Sequence, residues 1–329
     1  MFDVEITGIG SYVPENKVTN DDLAALVDTS DEWIIQRTGI KERRISLGED
    51  TTEMAEQAAL RALEDAGVEA KDIDLIIVAT VTPTYYFPST ACLLQARLGA
   101  GQATSFDISA GCTGFIYGVD IAAQFIKSGV HKTALVIGSE VLSKITDWSD
   151  RRTCVLFGDG AGAAVLQRGK AGIIAGFTGA DGTGADYLYC HGVPLANQFL
   201  PLQDYGPHYT VMNGKEVFKF AVSMVPKNIL RVLEGTGYTL DDIKYFVPHQ
   251  ANTRIIEAAA KKLHVDLDRF YINIDKYGNT SSASIPIALD EMAGKGQLLS
   301  GDLIIIAGFG AGLTYGAHLI KWTTAGQKK

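Results

Sequence analysis

A chain of 329 residues with 47% hydrophobic and 20% charged residues carries enough apolar material for a large α/β core without disulfide or metal staples. Its formal net charge of −9, with no basic stripe of interleaved aromatics, argues against nucleic-acid binding. Cys92, Cys112, Cys154 and Cys190 are scattered without metal-ligand spacing and no apolar run reaches membrane-spanning length, so neither a metal site nor a membrane span is expected.

From Met1 the chain goes directly into strand-like Val4-Glu5-Ile6-Thr7, with no basic stretch and apolar core of a signal peptide, so a soluble, cytoplasmic protein is expected. Three aromatics, Tyr85-Tyr86-Phe87, precede Pro88 and a helical run from Ala91 to Leu98. Asp107 to Phe115 then ends a strand and sets one thiol, Cys112, between small residues where a helix begins. A helix N-terminus favours thiolate, and Gly111 and Gly114 leave the sulfur open, so Cys112 is a candidate nucleophile; the alternative is a small buried hydrophobe. Gly158 to Gly162 is glycine-rich but lacks the Lys-Ser/Thr of a nucleotide loop, and reads as a tight turn. Pro248-His249-Gln250-Ala251-Asn252 follows the apolar run Tyr245 to Val247, placing an imidazole at a strand end. Tyr277 to Ser284 is a polar turn leading into a helical pattern from Ile285 to Met292, with Asn279 as a helix cap or a site residue.

An internal repeat is legible. Leu60 to Gly67 matches Leu230 to Gly237 at an offset of 230 − 60 = 170, and the same offset relates the apolar runs that start at Leu75 and Tyr245, and Ala134 to Gly138 with Ile304 to Gly308. Continuous apolar runs alternating with amphipathic helices imply mainly parallel sheets covered on both faces, in two pseudo-symmetric halves spanning residues 1–172 and 173–329.

These segments, together with Asp28 to Ile34, Arg37 to Ile40, Phe157 to Ala163 and the turn Gly308-Phe309-Gly310-Ala311-Gly312, resemble in order and nearly end to end the β-ketoacyl-acyl carrier protein synthase III family. The resemblance implies the thiolase fold, a duplicated five-layer αβαβα body. It also implies a decarboxylative Claisen condensation of an acyl-CoA primer with malonyl-acyl carrier protein, without a cofactor. Cys112 would be the acylated nucleophile, and His249 and Asn279 would stabilise the enolate left by CO₂ loss. The oxyanion donors would be the backbone N–H groups of Cys112 and Ala311; the family commonly has glycine at the latter position, and alanine pays a steric cost if φ is positive there.

The same resemblance implies CoA contacts at Thr29, Trp33, Arg37, Arg151, Phe218 and Asn252, with Trp33 and Arg151 flanking the adenine. Phe87 resembles the aromatic that closes the acyl pocket of the other subunit of a homodimer, and primer choice would follow from pocket volume around Phe87 and the segment from Gly179 to Leu202. Lys219, Arg254, Lys261 and Lys262 would form a basic patch suited to an acidic carrier protein despite the overall negative charge, the alternative being solvated helix faces. A related condensing enzyme of polyketide or quinolone synthesis could carry the same Cys, His and Asn. A degradative thiolase would be expected to place a second cysteine near the C-terminal glycine turn, and none occurs there. Retention of all three catalytic residue types opposes a noncatalytic binding module.

Overall fold

The computed structural model describes residues 3–169, 172–193, 198–199 and 208–323. Part of the glycine- and aromatic-rich segment from Gly179 to Leu202, which the sequence ties to primer choice, lies outside the described residues.

The first half runs β1 (Asp3–Tyr12), α1 (Asp31–Thr38), α2 (Thr51–Ala66), β2 (Leu75–Ala79), α3 (Thr90–Leu98), β3 (Thr104–Ile108), α4 (Gly114–Lys127), β4 (Thr133–Glu140) and β5 (Gly160–Gly169). The second runs β6 (Ile173–Ala180), α5 (Gly214–Leu233), β7 (Tyr245–Pro248), α6 (Thr253–Leu263), α7 (Ser284–Gly294), β8 (Leu303–Gly310) and β9 (Thr314–Lys321). One sheet has the order β1-β5-β4-β2-β3, the other β7-β8-β9-β6.

Strand alternation sorts the apolar residues into three layers of core. In β2 and β4, Leu75, Ile77, Ala134 and Val136 face inward onto α4 and α7, while Ile76, Val78, Leu135 and Ile137 face outward onto α2 and α3. In β8, Ile304 and Ile306 join the same central layer, and Ile305 and Ala307 pack outward onto α5 and α6. The result is the five-layer αβαβα thiolase body. Its central helix α4 buries Phe115, Ile116, Val119 and Ile126 completely, each worth roughly 1.5–3 kcal/mol of transfer free energy.

The sheets are mixed, which corrects the expectation of mainly parallel pairing. Only β2–β3, β2–β4 and β7–β8 are parallel; β1–β5, β4–β5, β8–β9 and β6–β9 are antiparallel. Continuous apolar strands report burial on both faces, and helices cover both faces here whatever the strand direction. Duplication is visible in the fold too: α4 and α7 start 170 residues apart, each preceded by a 3₁₀ turn, Gly111–Thr113 and Ser281–Ala283. The edge strand β3 has a reduced counterpart in the second half, a single bridge between Phe246 and Phe270.

Candidate active site

The two 3₁₀ turns meet at the middle of the body. Gly138 of β4 touches the 281–283 turn so closely that a Cβ there would collide with the Ser282 carbonyl. Cys112 lies in the first turn, after β3 and before α4, and the β8–β9 connection packs against it. A Cβ on Gly310 would come within 2.5 Å of the Cys112 nitrogen, and one on Gly111 within 2.8 Å of the Ala311 nitrogen, so the two backbone N–H groups assigned to the oxyanion are neighbours. Thr314 Oγ1 fastens this junction, lying 2.8 Å from Ala110 O, 3.0 Å from Ala311 O and 3.1 Å from Thr113 Oγ1. Positive φ falls on Gly312 (138°) and not on Ala311, so the steric cost anticipated for alanine does not arise.

Cys112 stands where two cavities adjoin. One, of about 300 Å³, is walled by Trp33, Arg37, Arg152, Phe218, Asn252, His249, Asn279 and Phe309. The other, of about 420 Å³, is walled by Val81, Leu142, Ile145, Phe157, Leu188 and Ser281. Burial pushes the Cys112 thiol up to about 12, with a Ser281 hydrogen bond acting in the opposite sense. The half-buried thiol precedes α4 in the 3₁₀ turn, and burial acts against the lowering that the sequence anticipates.

His249 follows β7, its N–H donating to Ala307 O at 2.9 Å and its Nδ1 lying 2.7 Å from Ser284 Oγ. Nε2 is buried without a partner in the residues around it, on the wall of the first cavity. Burial pulls the imidazole down to about 3, so it is neutral at physiological pH. Ser284 Oγ also accepts the Gln250 N–H (3.3 Å); in the tautomer whose Nδ1 accepts the Ser284 hydroxyl, the ring hydrogen is on Nε2 at the cavity wall. Asn279 is held by the glycine-rich turn, its N–H donating to Leu156 O (2.8 Å) and its O accepting Gly158 N–H (3.0 Å). Asn279 Oδ1 accepts the Ser281 N–H at 2.8 Å, so the NH₂ is the end left for the cavity.

Among the CoA contacts implied by resemblance, Trp33, Arg37, Phe218 and Asn252 line the first cavity. Asn252 Nδ2 donates to Arg37 O at 2.9 Å, tying α6 to α1. Arg151 lies 5.4 Å from the Trp33 ring centre and is held by Asp28 O at 2.6 Å, but Arg152 rather than Arg151 is on the cavity wall. Thr29 is also off that wall, its Oγ1 buried without a partner. Arg254 lies over the Phe218 ring at 5.3 Å, Lys219 pairs with Glu216 at 3.7 Å, and Lys261 and Lys262 are in the last turn of α6. Phe87 lines neither Cys112 cavity of its own chain. Sequence reasoning missed Glu140, Ser281 and Ser284. Ser284 could have been found from its place five residues after Asn279 at a helix start, whereas Glu140 reaches the site only through tertiary packing.

Among the described residues there is no group of three or more His, Cys, Asp or Glu that could hold a metal ion, and no helix long and apolar enough to cross a membrane.

Known proteins match along the whole chain. The model of the 3-oxoacyl-[acyl-carrier-protein] synthase III family matches residues 106–182, and that of its C-terminal part residues 233–322. The β-ketoacyl-[acyl-carrier-protein] synthase III of Clostridium acetobutylicum is 55% identical over 324 residues, 98% of this chain and 100% of the relative. The crystal structure of 3-oxoacyl-[acyl-carrier-protein] synthase III from Aquifex aeolicus superposes with a TM-score of 0.91 at 49% identity, covering 97% of this chain and 100% of that one. The priming β-ketosynthase of the R1128 polyketide pathway superposes equally well, TM-score 0.91, at 37% identity over 98% of this chain and 97% of that one. With the cysteine, histidine and asparagine on one cavity wall and this likeness from end to end, the chain belongs to the 3-oxoacyl-[acyl-carrier-protein] synthase III family of acyltransferases.

Proposed function

We propose that the protein initiates type II fatty acid synthesis by transferring an acyl group from an acyl-CoA to Cys112 and condensing it with malonyl-acyl carrier protein. The observation that carries this reading is the position of Cys112 between a cavity bearing His249 and Asn279 and a second, largely apolar one. A thioester enters through the first cavity, past Trp33, Arg37 and Phe218, and its acyl chain lodges in the second. Sulfur attacks the carbonyl carbon, the Cys112 and Ala311 N–H groups receive the oxyanion, and CoA departs.

The malonyl thioester then occupies the vacated first cavity. The Nε2–H of neutral His249 and the NH₂ of Asn279 donate to its thioester oxygen as CO₂ leaves, and the resulting carbanion attacks the acyl-Cys112 carbonyl. The product is 3-ketoacyl-acyl carrier protein. No cofactor enters this scheme, and Lys219, Arg254, Lys261 and Lys262 are proposed to meet the acidic carrier.

The homodimer is part of the proposal. Tyr85, Tyr86 and Phe87 are 56, 75 and 87% exposed, a contiguous aromatic surface that a second copy would cover, with Phe87 closing the partner's acyl pocket. We also propose two structural halves, residues 1–172 and 173–329, and a cytoplasmic location, where Cys112 stays reduced. The polyketide-priming likeness makes a starter role in such a pathway the second reading. A panel of acyl-CoA primers with malonyl-acyl carrier protein tests the proposal: 3-ketoacyl product from short primers supports it, and hydrolysis or transfer without CO₂ release contradicts it.

A further inference from the structure

Two short segments of the first half supply apolar walls to the cavity assigned to the acyl chain. One is the bend at residues 80–83 that follows β2, which contributes Val81; the other is a 3₁₀ turn after β4, Leu142–Ile145. Side chains three residues apart in a 3₁₀ turn eclipse, so Leu142 and Ile145 share the face that lines this cavity and Lys144 is left on another. Val81, Ile145 and Cys190 also border a further space of about 820 Å³, whose other walls include Tyr85, Tyr86, Phe87 and Lys144. They are therefore the partition between that space and the acyl cavity of about 420 Å³.

The polar groups of the bend are taken up by the segment that carries the turn, its donors by an anion and its acceptors by a cation. Glu140, fully buried at the end of β4, receives Thr80 Oγ1 (3.2 Å), Val81 N (3.0 Å) and Thr82 Oγ1 (2.8 Å) on one oxygen. Its other oxygen receives Ser281 Oγ (3.1 Å) and Ser282 Oγ (2.9 Å), which fixes it to the second half. Four residues on, Lys144 Nζ donates to Thr82 O (2.9 Å), Thr51 Oγ1 (3.3 Å) and Pro83 O (3.4 Å). Thr51 Oγ1 in turn donates to Thr82 O, tying the bend to the first residue of α2. The two anchors differ in kind. Removing Glu140 would strand five buried donors, whereas Lys144 is exposed and can be removed by itself.

We propose that Lys144 is a specificity-determining residue: by holding the carbonyls of Thr82 and Pro83 it keeps Val81 in place as part of the wall that limits the length of the primer's acyl group. Lys144 touches no reacting atom and positions Val81 through the bend. A chain that outgrows the acyl cavity meets the Val81–Ile145 partition, with the larger space beyond it. One methylene too many in a closed apolar pocket changes kcat/KM by roughly 10–200-fold, a discrimination that a yielding wall gives up.

The inference rests on the second cavity being the acyl pocket, and the test separates the two ideas. Full-length wild type, Lys144→Met and Lys144→Arg are assayed for acyl transfer to Cys112 from straight-chain acyl-CoAs of increasing length. Malonyl-acyl carrier protein decarboxylation and sedimentation equilibrium are measured on the same preparations. Methionine keeps an unbranched stem without a donor, and arginine keeps a cation for the two carbonyls. The wild type should show a sharp cut-off in kcat/KM with chain length. In Lys144→Met the first rejected primer should gain about tenfold in kcat/KM. The gain should lie in KM rather than kcat, because the far end of the chain is bound alike before and during attack. Lys144→Arg should keep the wild-type cut-off, and decarboxylation, assigned to His249 and Asn279, should stay within about threefold of wild type in both variants. An unchanged cut-off in Lys144→Met overturns the inference, as does an equally relaxed cut-off in Lys144→Arg. Parallel loss of acyl transfer and decarboxylation, or relaxation accompanied by a change of oligomeric state, overturns it too. A wild type without any cut-off refutes the acyl-pocket reading itself, whereas a sharp wild-type cut-off that Lys144→Met preserves refutes only the role of Lys144.

Discussion

Gly111 and Ser281 occupy the same backbone position in the two halves, 281 − 111 = 170 residues apart, with φ of 54° and 50°. Each opens a 3₁₀ turn that feeds a central helix, and the next residue is Cys112 in one half and Ser282 in the other. The first turn carries the proposed nucleophile, whereas in the second Ser282 Oγ is engaged by Ala79 O and Glu140. The left-handed conformation costs glycine little and serine more, so the second turn persists through its packing against β4 and Glu140.

Gly111→Ala should therefore be damaging in two ways. It places a side chain at positive φ, at a cost on the order of 1 kcal/mol, and its Cβ meets the Ala311 nitrogen at 2.8 Å, separating the two oxyanion donors. Acylation should slow by roughly 10²-fold or more, which is the loss of one such donor. A stopped-flow measurement of CoA release checks this; a wild-type burst would show that the donors are not where we place them.

His249→Ala and Asn279→Ala should separate the half-reactions. Both should still form acyl-Cys112 from acyl-CoA, while malonyl decarboxylation falls roughly 10²–10³-fold for each missing donor. Release of labelled CO₂ at the wild-type rate in both variants would refute the division of labour.

A neutral His249 has consequences for pH. With its folded value near 3, malonyl decarboxylation should show no histidine inflection between pH 6 and 8. Stability has a definite sign as well. Above the ordinary histidine value of about 6.5 both states are neutral and His249 contributes no pH dependence; below it the unfolded chain gains a proton that the buried ring refuses, so stability falls as pH drops towards 3. His249→Gln should lose less stability than wild type between pH 7 and pH 5, measured as the urea midpoint. An equal or larger loss would mean that the ring is protonated in the fold.

Phe87→Thr should shift primer preference towards longer acyl-CoAs and leave decarboxylation intact, since Phe87 lies away from His249 and Asn279 in its own chain. Sedimentation equilibrium should report a dimer for the wild type. An active monomer, or an unchanged primer profile in the variant, would contradict the shared pocket.

The duplication was legible because it rests on local pattern, apolar runs at a constant offset; the grouping of Cys112, His249 and Asn279 is what the family resemblance implies, and the structure brings the three to one cavity wall. Strand direction was not legible, since an apolar strand buried on both faces reads alike whether its neighbour is parallel or antiparallel. The 3₁₀ turn at Cys112 reads as a helix start in the sequence, which leads to the expectation of a lowered thiol; burial in the folded chain acts in the opposite direction, and no local pattern encodes it. Glu140 escaped notice for the same reason. It ends an ordinary strand, and its meaning comes from Ser281 and Ser282, 141 and 142 residues away.

The central claim is that Cys112 carries the acyl group. Incubation with an acyl-CoA, followed by intact-mass and peptide mass spectrometry, should find one acyl adduct per chain on Cys112, absent from Cys112→Ser because a hydroxyl has far less anion character than a thiol at neutral pH. An adduct on Cys92, Cys154 or Cys190, or condensation by Cys112→Ser at the wild-type rate, would contradict the account.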